Sequence, residues 1–376
     1  MRIALVCPYN IYRMGGVQEA VLAHQRELQK RGHEVTIIAP TPRRTPEKPR
    51  PGVLTIGHST ELNTPLNTMV DVGVSLDKEQ VIDIFEHHQF DIFHVHEPWV
   101  PFLGLQLLAR SPAINVATFH ARLPDSVFTK SFERMVKPYQ KAATKKVNAI
   151  TAVSDEASKM IGRITKLPVT IVPNGIELAV YDRKATKAAD IYPGKQVILF
   201  VGRLEKRKGA ILLLKAFREL KKTHPDVVLV IAGKGKQDRA LRQYVSRYQV
   251  SDVDIIGFVS GECKRSLMKR ADLYCSPAMY GESFGIVLLE AMAMGTVTVA
   301  GDNPGYRSVL KETGSGSLVD ASKKKHFAKK LAYYLDNKAA RDEWLTWAET
   351  YVKQFDYPII VDRLESIYKE LLEKNG

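Results

Sequence analysis

From Arg2 to Ala300 the chain alternates short β-branched runs with helical stretches, the pattern of a doubly wound parallel sheet. Arg2–Cys7 reads as the first strand, 16–31 as a helix closed by Gly32, and 33–39 as the second strand. Further strands are predicted over Ile92–His96, 114–118, Ala149–Ala152 and 169–172. After Pro173-Asn174-Gly175 and a polar, lysine-bearing stretch to Lys187, the alternation restarts over 196–201, 227–232, 253–256, Leu273–Ser276 and 297–300. The restart marks a second domain, and 376 residues are enough for two cores. The boundaries expected are 1–175 and 176–355. An amphipathic helix over 359–372, following Tyr357-Pro358 within 356–376, would pack back on the first domain.

Ligands of doubly wound sheets bind beyond the carboxyl ends of the strands, so two such sheets facing each other would enclose an interdomain cleft. Charge narrows the ligand. Lys and Arg number 55 against 41 acids, a net +14 that attracts phosphate-bearing partners. No aromatic-rich basic repeat or zinc-finger spacing accompanies the charge, which disfavours nucleic acid. Cys7, Cys263 and Cys275 are odd in number and far apart, fitting buried thiols in a reducing cytoplasm without structural zinc. The opening MRIALVCPYN is too short for a signal peptide and no segment has the length of a membrane span. Membrane contact is therefore expected to be peripheral, at the inner face of the cytoplasmic membrane.

Four strings carry chemistry. Met14-Gly15-Gly16-Val17-Gln18 opens the first helix, where close backbone approach and free amides favour a phosphate, or else form a plain tight turn. A G-x-G-x-x-G fingerprint is absent, and the second strand runs into Pro40-Thr41-Pro42 without a ribose-binding acid, which removes most support for a dehydrogenase. In Gly202-Arg203-Leu204-Glu205-Lys206-Arg207-Lys208-Gly209, Arg203 and Lys208 can converge on one diphosphate. The third string runs from Tyr280 to Gly295. Ser283 is expected to cap a helix over 284–294 that Gly295 stops, aiming the amides of Phe284, Gly285 and Ile286 at an anion. Glu282 before that helix and Glu290 about 12 Å along it would flank a diphosphate and accept bonds from the sugar and ribose hydroxyls. The fourth is Asn115-Val116-Ala117-Thr118-Phe119-His120, a strand ending in a histidine able to orient or polarise a hydroxyl. His94 and His96 are assigned to strand packing and loop anchoring, and no metal or other cofactor is expected.

On these strings the chain resembles, over essentially its whole length, the retaining glycosyltransferases of family 4 with the α/β GT-B fold, two facing Rossmann-like domains. Glu282 and Glu290 match that family's E-x7-E signature. CPYNIYRMGGVQ, HVHEP, ATFH, Val172-Pro173-Asn174-Gly175 and GESFGIVLLEAMAMG are most similar to the phosphatidylinositol mannosyltransferases of actinobacteria. The resemblance implies an acceptor-binding first domain and a second domain that binds a nucleotide-sugar, with GDP-mannose favoured and UDP-sugars next. Arg203 and Lys208 would hold the diphosphate, Gly16 its distal phosphate, Glu282 the sugar and Glu290 the ribose, with Val259 and Lys264 beside the base. Tyr9, Gln18 and His120 match acceptor-side positions. It further implies retention without a required metal, the leaving phosphate taking the acceptor proton. The acceptor would be a lipid or glycolipid such as phosphatidylinositol, with diacylglycerol or a polysaccharide as the alternative.

Where the resemblance implies a basic membrane helix, this chain has 77–86, DKEQVIDIFE, which is not basic. The stretch from Arg122 to Lys146 offers a substitute patch, with Lys130, Arg134, Lys137, Lys141, Lys145 and Lys146 among Phe128, Phe132 and Tyr139. Trp99 and Ala121 depart from the inositol-headgroup pattern. Rivals to a transferase are an epimerase, a phosphorylase with a pyridoxal-binding lysine, and an anionic-membrane-binding protein whose site is dead. Two acids set among cations speak against the last, since electrostatic binding has no use for them.

Overall fold

The computed structural model describes residues 1–13, 15–43, 48–63, 69–73, 78–100, 103–120, 137–138 and 140–375. It divides into two compact units, Met1–Gly175 with Tyr357–Gly376, and Ile176–Asp356.

The first unit runs β1 (Arg2–Val6), α1 (Gly16–Lys30), β2 (Glu34–Pro40), β3 (Val53–Ile56), β4 (Ser59–Asn63), β5 (Met69–Gly73), α2 (Lys78–His87), β6 (Ile92–His96), α3 (Leu103–Leu108), β7 (Ile114–Phe119), β8 (Ala149–Ala152), α4 (Asp155–Ile161) and β9 (Val169–Ile171). Seven described strands form one parallel sheet in the order β3-β2-β1-β6-β7-β8-β9, while β4 and β5 pair antiparallel apart from it. Alternate strand residues point to opposite faces. Ala4, Val6, Phe93, Val95, Ala117 and Phe119 accordingly pack with Val81 of α2 and Leu103 and Leu107 of α3. Their neighbours Ile3, Leu5, Ile37, Ile92 and Val116 pack with Val21 and Leu28 of α1. Burial on both faces is why these strands read as apolar runs rather than as alternation.

The second unit runs β10 (Val197–Val201), α5 (Ala210–Leu220), β11 (Val228–Ala232), α6 (Asp238–Tyr248), β12 (Val253–Gly257), α7 (Gly261–Arg270), β13 (Leu273–Ser276), α8 (Ile286–Ala293), β14 (Val297–Gly301), α9 (Pro304–Arg307), β15 (Leu318–Val319), α10 (Lys324–Asp336) and α11 (Lys338–Tyr351). Its strands are parallel in the order β12-β11-β10-β13-β14-β15. The chain then returns to the first unit as α12 (Tyr357–Asn375), whose Val361, Leu364 and Tyr368 complete the core on the α1 face. Arg31 fastens it, donating to Asp362 at 2.7 Å and to the Pro358 carbonyl at 2.8 Å. Pro358 is tolerated because it falls in the first turn, where an N–H has no partner in any case.

In both sheets the strand order reverses beside the first strand. β1 lies between β2 and β6, and β10 between β11 and β13. The loops leaving neighbouring strands at such a point diverge and open a crevice. In the second unit these are the loops after β10 and β13, which hold the 202–209 and 277–285 strings. In the first they follow β1 and β6 and hold Tyr9 to Arg13 and Glu97 to Val100.

Three expectations require correction. The helix after β13 begins at Ile286, not Phe284, and its N-cap is Gly285 rather than Ser283. Phe284 turns its ring into the core, 5.8 Å from Phe355, and Gly285 then takes φ 134°, where a side chain is strained. The exit is the one expected: Gly295 at φ 69° and Thr296 donate to the Met292 and Ala291 carbonyls, a Schellman stop. Of the cysteines, Cys7 and Cys275 are buried but Cys263 is exposed in the first turn of α7. The last helix is longer than expected, beginning at Tyr357 and ending at Asn375. β3, the β4–β5 hairpin and β15 have no counterpart in the sequence reading. Of the basic patch, Lys137, Lys141, Lys145 and Lys146 are exposed, whereas Phe128, Lys130, Phe132, Arg134 and Tyr139 lie outside the described residues, as do Met14 and Ala121.

Candidate functional site

After β10 the backbone of Gly202 to Leu204 lies directly against that of Gly233 to Gly235, with the Leu204 N–H donating to the Lys234 carbonyl at 2.9 Å. A β-carbon on Gly233 would stand 1.8 Å from the Gly202 oxygen, so only glycine permits this approach. The turn that follows presents an alternating charge chain. Arg203 Nη1 lies 3.0 Å from Glu205 Oε1, and Arg207 Nε donates to Glu205 Oε2 at 2.9 Å. Arg207 Nη1 donates to Glu282 Oε1 at 2.6 Å and to the Gly281 carbonyl at 3.1 Å. Lys208 Nζ reaches that same Glu282 oxygen at 2.7 Å. The tertiary structure thus brings Arg203, Lys208 and Glu282 into one network, through Glu205 and Arg207.

Three cations against two carboxylates leave one positive charge in this chain. Exposure divides the roles. The Arg203 side chain is 53% exposed and that of Arg207 is 8% exposed, so Arg203 faces solvent while Arg207 braces the interior. Partial burial lowers the Arg203 guanidinium below its usual value, against the pull of Glu205. It remains cationic, as arginine does throughout the physiological range. The loop carrying Glu282 is seated on Asn303-Pro304-Gly305-Tyr306: Asn303 Nδ2 donates to the Ala278 carbonyl, and the Tyr306 hydroxyl meets Ser276 Oγ at 2.6 Å.

Glu290 is not the solvated helix acid that an isolated reading allows. It is buried, and its Oε1 accepts from the Tyr181 hydroxyl at 2.5 Å and from Lys264 Nζ at 2.6 Å. Lys264 also lies 5.6 Å from the centre of the Tyr181 ring. Val259, after β12, packs part-buried on the core beside the exposed Phe258. Of the three positions expected to bind an anion through their amides, Phe284 contributes its ring to packing, while Gly285 and Ile286 open α8 without a side-chain cap.

In the first unit Gly15 precedes α1, again with no side-chain cap, and Gly16 is its exposed first residue. Gln18 turns back to donate to the Asn10 carbonyl at 3.4 Å. Burial, with Glu97 adding to it, holds the Tyr9 phenol well above its usual pKa, so it stays a neutral donor. His120 is buried. Its backbone N–H donates to Glu97 Oε1 at 2.9 Å, and its Nε2 meets His96 Nδ1 at 2.8 Å. His94 stacks on His96 at 4.4 Å, bonded to Thr118 on one side and Tyr368 of α12 on the other. His24 completes a cluster of four imidazoles, 5.7 Å from His96.

Burial depresses every member: His24 to about 4, His120 to about 3, and His94 and His96 well below the usual value. His120 is therefore neutral and weakly basic, suited to orienting a hydroxyl rather than to removing its proton. His120 Nδ1 and Asn174 Oδ1 are both buried, and Asn174 lies close enough to His120 to raise its pKa against the larger effect of burial. Among the described residues no three His, Cys, Asp or Glu side chains form a metal-holding group.

Glu205, Arg207, Tyr181 and Asn303 were not singled out from the sequence. Arg207 stands among the cations of the 202–209 string, but spacing does not reveal which cation turns inward. Tyr181 lies 109 positions from the glutamate it holds.

Comparison with known proteins shows the family and the fold. Residues 14–180 match Glycosyltransferase Family 4 and residues 182–349 match Glycosyl transferases group 1. The phosphatidyl-myo-inositol mannosyltransferase of Mycolicibacterium smegmatis (strain ATCC 700084 / mc(2)155) is 33% identical over 374 residues, 98% of this chain and 94% of that protein. The alpha-monoglucosyldiacylglycerol synthase of Streptococcus pneumoniae (strain ATCC BAA-255 / R6) is 23% identical, over 85% of this chain and 75% of its own length. Among solved structures, a glycosyltransferase from Rickettsia africae ESF-5 superposes with a TM-score of 0.77 at 19% identity, covering 99% of this chain and 98% of that one. The chain belongs to the family 4 glycosyltransferases of GT-B fold that include the phosphatidyl-myo-inositol mannosyltransferases, and it is a glycosyltransferase.

Proposed function

We propose that this glycosyltransferase moves mannose from GDP-mannose to a lipid or glycolipid acceptor of the phosphatidylinositol class, with retention at the anomeric carbon. The observation that carries the transferase chemistry is the Arg203–Glu205–Arg207–Glu282–Lys208 chain. Its exposed Arg203 and the half-buried Lys208 suit a diphosphate. Glu282 takes both of its bonds on Oε1, leaving Oε2 for a sugar hydroxyl. The amides opening α8 add a positive helix end for the diphosphate. Glu290, held by Tyr181 and Lys264, suits the ribose, with Lys264 and Val259 towards the base. The identity to a phosphatidyl-myo-inositol mannosyltransferase over 98% of the chain supports the choice of hexose and acceptor.

On this reading the acceptor oxygen bonds to the anomeric carbon as the bond from that carbon to the phosphate oxygen breaks. The acceptor proton passes to the departing phosphate, whose charge Arg203 and Lys208 take up in place of a metal. Gly16 offers its amide to the distal phosphate, and Tyr9, Gln18 and His120 serve the acceptor. Among the described residues no helix is long and apolar enough to cross a membrane. Contact with a lipid acceptor is accordingly assigned to the basic surface, which includes Lys137, Lys141, Lys145 and Lys146.

A second reading, glucose from a UDP-sugar to diacylglycerol, is favoured by the monoglucosyldiacylglycerol synthase relative. Purified protein incubated with GDP-mannose or UDP-glucose and vesicles holding phosphatidylinositol or diacylglycerol separates the two by mass spectrometry of the lipid. Mannosylated inositol lipid is expected, and its loss in Glu282→Ala. Glucosylated diacylglycerol as the sole product would transfer the assignment to the second reading, and undiminished turnover in Glu282→Ala would remove Glu282 from the site.

A further inference from the structure

In β6, Phe93 and Val95 face α2 and α3, while His94 and His96 face the other side, towards α1 and α12. One more residue of regular strand would turn Glu97 into the apolar layer of Phe93 and Val95, where a carboxylate has no partner. Glu97 instead takes φ 49°. Among the described non-glycine residues at positive φ, Glu97 alone is buried, with 1% of its surface exposed. Such a conformation persists only where the surroundings over-determine it, and it concentrates at functional sites.

The surroundings here do so from several directions. The Glu97 N–H still donates to the Thr118 carbonyl at 2.8 Å, keeping the backbone on β7, and the Glu97 carbonyl accepts from the Val100 N–H at 3.0 Å. Gly104 lets α3 close on this turn, since a β-carbon there would stand 3.1 Å from Val95 Cγ1 and 3.5 Å from Pro98 Cα. Glu97 Oε1 accepts the His120 N–H at 2.9 Å, and Oε2 accepts the indole N–H of Trp99. One residue earlier, His96 Nδ1 meets His120 Nε2 at 2.8 Å. Two consecutive residues therefore hold one histidine, by its backbone and by its ring, which the alternating side chains of a strand could not do. Of the two ring nitrogens one donates and the other accepts, so the tautomer of His120 is tied to that of His96.

Closing a turn does not by itself call for a buried carboxylate. A glutamine would accept one of the two N–H groups and present its own N–H to the other. Two acceptor oxygens on one side chain are what two converging donors require. The same carboxylate contributes, after burial, to the raised pKa of the Tyr9 phenol, so both acceptor-side residues, Tyr9 and His120, lie within its electrostatic reach.

We propose that Glu97 is a positioning residue of the transfer reaction, which together with His96 holds the His120 ring in the orientation that receives the acceptor hydroxyl. This role rests on the acceptor-side reading of His120. Trp99 acts one step further out, its indole N–H being committed to Glu97.

The test is steady-state transfer by the full-length protein from GDP-mannose to phosphatidylinositol vesicles, or from UDP-glucose to diacylglycerol vesicles where that is the pair turned over. Glu97→Gln is expected to lower kcat about ten-fold or more, with KM for the nucleotide-sugar and the thermal shift given by the nucleoside diphosphate kept at the parent's values. Acting through His120, it should add nothing to His120→Ala, so the double variant is as slow as His120→Ala alone. Parent turnover in Glu97→Gln overturns the assignment, as do losses that multiply in the double variant. If Glu97→Gln does not fold, Trp99→Phe takes its place, removing one of the two bonds. A several-fold loss in kcat with the same split is then expected, and parent turnover overturns the assignment. If His120→Ala leaves no turnover to compare, the nitrogen-15 signals of the His120 ring are read, and a ring unmoved by Glu97→Gln overturns it. A His120→Ala variant at the parent's rate would remove His120 from the acceptor side and this role with it, whereas a slow His120→Ala beside an unimpaired Glu97→Gln overturns the role of Glu97 alone.

Discussion

Arg207 withdraws its guanidinium from water and shares it between Glu205 and Glu282. Removing one partner of such a buried pair leaves uncompensated charge, at a cost of about 3–5 kcal/mol. Arg207→Gln is therefore expected to lower the melting temperature and, by releasing Glu282 and Glu205, to reduce kcat on the nucleotide-sugar more than it raises KM. Arg207→Lys keeps the charge but cannot span both carboxylates, and should fall between. A glutamine variant that melts and turns over with the parent would show that Lys208 alone positions Glu282. At Glu290 burial carries a similar message, since Tyr181 and Lys264 hold one of its oxygens in place.

Among the elements, α8 and α12 tie the fold to the site most directly. The start of α8 depends on Gly285, where a β-carbon would meet Tyr306 Cδ1 at 2.9 Å in addition to the φ of 134°. Gly285→Ala should cost about 1–3 kcal/mol in backbone strain and weaken nucleoside diphosphate binding, both readable by thermal shift with and without the nucleotide. α12 supplies Val361, Leu364 and Tyr368 to one face of the first sheet and bonds His94 through the Tyr368 hydroxyl. Tyr368→Phe strands a buried imidazole nitrogen and is expected to cost about 1–3 kcal/mol in chemical denaturation, without altering donor affinity. The alternation of strands and helices was legible because a parallel sheet covered on both faces demands unbroken apolar runs. Short edge strands such as β3 and β15 carry no such demand. Ser283 was misread as a cap because capping propensity is local, whereas the burial of Phe284 against Phe355 is not.

For the molecule as a whole, the four buried histidines set an acid limit. Each folded-state pKa lies below the ordinary value near 6.5, so between the two the unfolded chain binds more protons and stability rises with pH. Their contribution is complete above about pH 6.5 and is lost as pH falls through that value towards 4, where His24 would titrate in place. Thermal melts from pH 7.5 to 4 should decline through this window, and His24→Leu should flatten the decline. A parent curve level down to pH 4 would mean that the cluster admits protons without opening. By itself the sequence determined the two rounds of strand and helix, the glycines and acids of the loops, and a likeness to one enzyme family, because periodicity and short spacings are written along the chain. Only the tertiary structure decided which cation turns inward, which oxygen of Glu282 the two cations share, and that four histidines from α1, β6 and the end of β7 share one buried cluster. Such pairings join residues up to hundreds of positions apart, and their strength depends on burial that no local spacing encodes.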